Sequence, residues 1–224
     1  MHEPARHEPT PRQRLALLAI LVASLGLRAW YAAAVHDRQL VTVPYLDTHD
    51  YHVWASALAG GDWGLGRPYW MGPLYPHLLA LTYVLFGVGS QAMLLAQGAL
   101  TLLNLWLVWL LARRWLAPGW ALLAMALYAG YGPPVFYAGF KLMVTLVTTL
   151  LLAIAWQAGR AHARPTRGRW LVLGLLVGVC ATARGNALLL LALLPLLLVG
   201  RHAATGWRRS EERRVGKECA TGCR

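Results

Sequence analysis

Four side chains that can move a proton or hold a cation fall within one short run, Asp47, His49, Asp50 and His52 in D-T-H-D-Y-H. A carboxylate there can deprotonate or orient an attacking hydroxyl. Asp47, His49 and Asp50 could instead share a divalent metal ion, although their spacing matches no known zinc site and residues at i and i+3 only partly face the same way. A structural role competes with both. The run reads as the start of a helix that ends at Gly60-Gly61, with Asp47 as its N-cap and Asp50 completing a capping-box-like pair. Residue types leave the capping and catalytic roles of Asp47 equally open, and Asp62 reads as closing the turn that ends the helix.

These residues sit in a stretch, Pro44 to Pro76, that differs from the rest of the chain. Glycines at 60, 61, 64 and 66 and prolines at 68, 73 and 76 break it into short pieces. Over the whole chain the composition is 58% hydrophobic and only 13% charged, with 11 Trp. So few charges cannot cover a soluble surface, and the expected fold is all-α, a polytopic transmembrane helical protein. The formal net charge of +12 fits Lys and Arg retained in cytoplasmic loops facing anionic lipid. Nucleic-acid binding is set aside, because no soluble basic domain is present. Cys180 stands alone in an apolar run and reads as packing, and Cys180, Cys219 and Cys223 form no disulfide framework or zinc pattern.

The elements that must position the polar stretch follow from apolar runs and basic clusters. Residues 1–14 are polar and Pro-rich, and are expected to be a disordered cytoplasmic N-terminus. Leu15–Ala34, roughly 20 mostly apolar residues, is long enough to cross a bilayer. It reads as an uncleaved anchor, with a cleavable signal peptide as the competing reading. Either puts residues 35–91 outside as the first external loop. Basic clusters at Arg113-Arg114, at Arg160 through Arg169, and at Arg201 with Arg208-Arg209 all become cytoplasmic if Ala92–Ala112 crosses and Leu74–Val88 does not. Leu74–Val88 is then a juxtamembrane helix on the outer leaflet. Pro118–Tyr131, Leu142–Gln157, Trp170–Ala183 and Ala187–Gly200 complete about six spans, several short enough to need tilt. Gly130–Lys141 and Arg184-Gly185-Asn186 become external turns. Residues 15–208 thus form one membrane module.

The tail, residues 209–224, changes character. Arg209–Cys219, RSEERRVGKEC, looks like the translation of a widely used short-read sequencing adapter. The expectation is that the genuine protein is interrupted near Arg208 and that the tail is an artefact, against the reading of a real basic amphipathic tail.

Several motifs together resemble a known family. They are D-x-x-x-Y (Asp47, Tyr51), A-x-x-x-x-x-G-D-W (Ala55, Gly61, Asp62, Trp63) and G-P-L-Y-P (Gly72–Pro76) before L-L-A-L-x-Y-x-L-F-G (Leu78–Gly87). This order resembles the first external loop of GT-C glycosyltransferases, in the branch of protein mannosyltransferases and bacterial aminoarabinose transferases. L-A-R-R-W (Leu111–Trp115), P-x-x-F-Y-x-G (Pro133 to Gly139) and A-R-G-N-A-L-L-L (Ala183–Leu190) extend the resemblance over residues 15–205.

The resemblance implies a bacterial inner-membrane transferase that takes a sugar from a polyprenyl-phosphate donor to a lipid, glycan or protein acceptor at the extracytoplasmic face, with inversion. It implies Asp47 as the catalytic carboxylate, with Asp50, Tyr51 and His49 as supporting or acceptor-site residues. Two departures stand out. No second acid follows Lys141, which places a cation near the outer leaflet that either meets the donor phosphate or snorkels to the interface. Aminoarabinose transferases also show a lysine just before the proline motif, where this chain has Met71-Gly72, which argues against the same substrate. Arg184 either holds the lipid phosphate or closes its turn. Trp63, Tyr69, Trp70, Tyr75, Tyr131 and Tyr137 either stack on sugar or anchor at the interface. No cofactor is implied beyond the divalent metal ion already weighed. The rival reading is a membrane transport or scaffold protein, with an inactive truncated fragment as a third.

Overall fold

The computed structural model describes residues 9–35, 47–63, 71–88 and 90–192, and every regular element among them is helical. Helix α1 is Pro11–Val35, α2 Asp47–Ala59, α3 Leu74–Phe86, α4 Ser90–Ala112 and α5 Pro118–Gly130. Then come α6, Gly132–Ala138, α7, Val144–Ala163, α8, Arg167–Ala183, and a 3₁₀ turn, Gly185–Leu188. The stretches 36–46 and 64–70, the expected last span Ala187–Gly200 beyond residue 192, and the tail after Arg208 lie outside the described residues.

Among the described residues, three helices are long and apolar enough to cross a membrane: Pro11–Val35, Met93–Ala112 and Val144–Ala163. At 1.5 Å per residue the 25 residues of α1 reach about 37 Å, more than the hydrocarbon thickness of about 30 Å. The 13 residues of α3 and of α5 reach only about 20 Å.

Local sequence explains where the helices begin and end. Helix α1 starts at Pro11, four residues before the expected apolar run. Thr10 N–H donates to Gln13 Oε1 at 3.0 Å and Gln13 N–H to Thr10 Oγ1 at 3.4 Å. That is a reciprocal cap with Pro at the first helical position, so part of the N-terminus expected to be disordered is ordered helix. Helix α2 ends as the Gly60-Gly61 pair predicts. Asp62 N–H reaches Ala57 O at 3.0 Å and Gly61 N–H reaches Leu58 O at 3.1 Å. This Schellman arrangement needs the left-handed φ of 90° that Gly61 supplies. Helix α7 runs six residues past the expected Gln157, because Ala, Gly and Arg continue it until Pro165 stops it. Thr166 Oγ1 then accepts from Arg169 N–H at 3.3 Å and starts α8. Within the expected outer turn 130–141, the Pro pair 133–134 starts the short helix α6.

The packing separates two ends. Leu17 near the start of α1 packs with Trp109 and Ala121. The Arg113 guanidinium lies 5.2 Å over the Trp109 ring, Arg114 Nη1 donates to Trp156 O, and Arg169 Nη1 donates to Arg160 O. Arg12, Arg14, Arg113, Arg114, Arg160, Arg164, Arg167 and Arg169 thus share one end. At the other end Tyr31 meets Phe136, and Tyr51, Tyr75, Met93 and Leu146 share one core. Asp47, Asp50 and Asp62 lie there, away from the arginine-rich end. Helix α3 stays at the acidic end throughout. Its first turn touches Gln97, and Gly87, with φ of 83°, turns the chain straight back into α4. Outward, Leu81, Val84, Leu85 and Phe86 are exposed, an apolar surface suited to lipid.

Candidate active site

Helix α2 carries its polar groups at its first turn and its apolar groups inward. Asp47 and His49 are exposed and Asp50 is half-buried, while Tyr51, Trp54, Ala55 and Leu58 are buried. The two carboxylates therefore lie at the positive end of the helix dipole. Asp47 is the first described residue of α2.

Tyr51, one turn after Asp47, links the loop to the bundle. Its ring meets Tyr75 edge to face with centroids 4.9 Å apart, a pairing worth about 0.5–1.5 kcal/mol beyond the area it buries. The Tyr75 hydroxyl accepts from Gln97 Nε2 at 3.2 Å. The same amide nitrogen lies 3.1 Å from Phe140 O and 3.2 Å from Leu142 O. Those two carbonyls flank Lys141. A buried glutamine on α4 thus fixes the backbone that presents the cation, in line with the rule that buried polar groups find partners. His52 is tied down in parallel, its Nδ1 sharing a 2.8 Å hydrogen bond with the Tyr83 hydroxyl on α3.

Arg184 arrives from α8. It takes an extended conformation, φ −147° and ψ 109°, and so ends the helix, with its side chain exposed. Gly72 of G-P-L-Y-P fixes its approach. A Cβ on Gly72 would collide with the Ala183 carbonyl oxygen and stand 2.6 Å from Ala183 C and 2.8 Å from Thr182 O. Only a hydrogen fits between the proline motif and the end of α8.

The electrostatics gather the same residues. Burial first and the Asp47 carboxylate second, against the pull of Arg184, push the Tyr51 phenol up to about 12. Both charges therefore act on one hydroxyl. His52 is lowered from its usual value, first by burial, then by Lys141 and His49. Lys141, half-buried, is itself lowered by burial. The charges of Asp47, His49, Lys141 and Arg184, from three separated parts of the chain, thus act on two neighbouring residues of α2, Tyr51 and His52. Asp50 lies on the same first turn, and Asp62 lies at the far end of α2, where its backbone closes the turn as expected. Trp63 is exposed, with its ring 6.3 Å from that of His77, Tyr75 is core, and residues 69 and 70 fall outside the description. Among the described residues no three His, Cys, Asp or Glu side chains come together to hold a metal ion, Asp47, His49 and Asp50 included.

Sequence reading missed Gln97 and the reason for Gly72. It also placed polarity in the external loop alone, whereas α4 buries Gln97, Thr101 and Asn104 on one face, and α7 buries Thr145 and Thr149. The signal was present as polar residues at i, i+4 and i+7 inside an apolar run.

Residues 67–212 match the family described as dolichyl-phosphate-mannose-protein mannosyltransferase. Similar proteins include undecaprenyl phosphate-alpha-4-amino-4-deoxy-L-arabinose arabinosyl transferases of Pseudomonas aeruginosa (strains LESB58 and UCBPP-PA14) and of Pseudomonas paraeruginosa (strain DSM 24068 / PA7). Each is 33% identical over 153 residues, which is 64% of this chain and 27% of the relative. The chain thus covers 27% of the length of these curated relatives. No solved structure matches it.

Proposed function

The chain belongs to the dolichyl-phosphate-mannose-protein mannosyltransferase family, and from that premise we propose that the whole protein transfers a sugar from a polyprenyl-phosphate donor to an acceptor hydroxyl, with Asp47 as the carboxylate that activates the acceptor. The observation that carries this reading is that the charges of Asp47 and Arg184 both act on Tyr51, while that of Lys141 acts on the next residue, His52.

The chemistry suits that arrangement. A sugar joined to a phosphate already has a good leaving group, so no acid is needed at the glycosidic oxygen. One carboxylate takes the acceptor proton as the hydroxyl attacks the anomeric carbon from the face opposite the phosphate, and the configuration inverts. Retaining hydrolysis would ask for two opposed carboxylates at fixed separation. Lys141 and Arg184 neutralise the phosphate as negative charge builds on it. Tyr51, held protonated at neutral pH, serves as a hydrogen-bond donor beside Asp47. His49 and Asp50 border the acceptor side of the first turn. No step in this reading passes through a metal ion.

The separation of an acidic end from an arginine-rich end supports placing the site on the extracytoplasmic face of a bacterial inner membrane with the N-terminus in the cytoplasm. On this placement α3 lies along the outer leaflet and α5 and α8 cross with tilt, which gives about six spans. The acceptor is a lipid, glycan or protein. The sugar named for the curated relatives is not assumed for this chain. Membranes containing the protein, incubated with a set of radiolabelled undecaprenyl-phosphate sugars, should move label from at least one donor into an acceptor. Turnover of none of them, with the protein folded and in the membrane, would overturn the reading.

A further inference from the structure

Arg28 lies on α1, inside the apolar bundle, and is 7% exposed. A guanidinium stays protonated and is costly to bury unless its donors are matched. Here the match is partial. Nη1 donates to Ser24 Oγ at 2.5 Å, to Ser24 O at 3.2 Å and to Ala129 O at 3.1 Å. Nε and Nη2 have no partner among the described residues. Arg28 lines a cavity of about 210 Å³ between α1, α4, α5, α6 and α7. Two more side chains bring unmatched polar atoms to the same space: Asn104 Oδ1, in a residue 2% exposed, and Thr145 Oγ1, in a residue 6% exposed. No Asp or Glu is among its described lining residues. The remaining wall includes Pro133, Pro134 and Tyr137.

A native bundle does not leave three unmatched polar side chains facing one cavity without a reason. The missing element must bring negative charge to Nε and Nη2, which together present a fork matched to two oxygens of a phosphate or carboxylate. It must also offer a hydroxyl to Asn104 Oδ1, and it must tolerate a proline and tyrosine wall. We infer that this cavity is a second phosphate-ester site, in which Arg28 grips two phosphate oxygens, Thr145 Oγ1 donates to a third and Asn104 Oδ1 accepts from a hydroxyl on the bound group. It is built from residues other than Asp47, Lys141 and Arg184, and it does not rest on the transfer reaction. The phosphate can come from a polyprenyl phosphate, from a membrane phospholipid or from free phosphate.

The three sources are separated by measuring binding to the purified protein in detergent, with a short-chain polyprenyl phosphate, a short-chain phosphatidic acid and inorganic phosphate as probes. At least one should bind saturably. Its affinity should fall on the order of tenfold or more in Arg28→Met, because a charge-assisted fork is lost. Met is close to Arg in volume, and such replacements of buried charge are commonly tolerated. Arg28→Lys keeps the charge without the fork, and should also weaken binding if Arg28→Met fails to fold. The double variant Lys141→Met with Arg184→Met should still bind. Binding by none of the three probes, or binding unchanged in both Arg28 variants, overturns the site. So does binding abolished by the Lys141 and Arg184 pair yet retained without Arg28.

Discussion

Gly72 rests against the backbone carbonyl of Ala183 so closely that a Cβ at that position would stand 2.6 Å from the Ala183 carbonyl carbon. The contact joins the proline motif of the first loop to the last residue before Arg184, across 111 positions of sequence. It makes the place of Arg184 depend on a residue with no side chain.

Gly72→Ala should therefore damage the site through geometry. Backbone cannot move aside as a flexible side chain does, so overpacking should cost about 1–3 kcal/mol. The expected result is a lowered melting temperature in detergent together with a large loss of sugar transfer. Ala183→Gly leaves the carbonyl in place and should not rescue it. An unchanged melting temperature and unchanged transfer would show that the loop and α8 are not in contact.

Gln97 offers a second test away from charged groups. Gln97→Leu keeps the approximate volume but removes the donor to Phe140 O and Leu142 O; Phe140 O keeps the Leu142 N–H at 2.8 Å, while part-buried Leu142 O loses its donor, at about 1–3 kcal/mol. Because those carbonyls flank Lys141, the apparent KM for the donor should rise more than kcat falls. A fall in kcat alone, with KM for the donor unchanged, would separate Gln97 from Lys141.

Lys141 itself sets an alkaline limit. Burial lowers its pKa from the usual 10.5, so it loses its charge at a lower pH than a free lysine, and donor binding should weaken as pH rises through that value. Lys141→Arg keeps the charge at all accessible pH and should carry the alkaline limb of kcat/KM to higher pH. A limb that does not move would mean that another group titrates there.

His52 gives a stability signature of defined sign. Its folded pKa lies below the usual 6.5, chiefly through burial. The unfolded chain then binds more protons in that window, and stability rises with pH. The contribution is complete above about pH 6.5 and is lost as pH falls through the lowered folded value. Wild type should thus lose more melting temperature between pH 7.5 and pH 5.5 than His52→Asn does. Equal losses would remove His52 from the balance.

Much of this was legible in the residues. The end of α2 follows from the Gly60-Gly61 stop, and the 13 residues of α3 agree with the apolar run that starts at the proline motif. What could not be read is pairwise and distant. The sequence places Lys141 and Arg184 on separate turns and cannot say that both act on neighbouring residues of one helix, since that depends on how α7 and α8 pack. The role of Gln97 was hidden because a single amide in an apolar run looks the same whether it bridges two carbonyls or faces a partner helix. The early start of α1 was written as T-P-x-Q, a capping pattern overshadowed by the polar residues before it.

The measurement that bears most directly on the account is sugar transfer by Asp47→Asn, made with the whole protein in membranes. Asn keeps the shape of the side chain, and Asp47 is exposed at the start of its helix, so expression and melting temperature should change little. Transfer should fall on the order of 10²–10⁴-fold, the usual contribution of a positioned proton acceptor, with donor binding retained through Lys141 and Arg184. Transfer within about twofold of wild type, in protein shown to be folded, would contradict the assignment of Asp47 and with it the proposed mechanism.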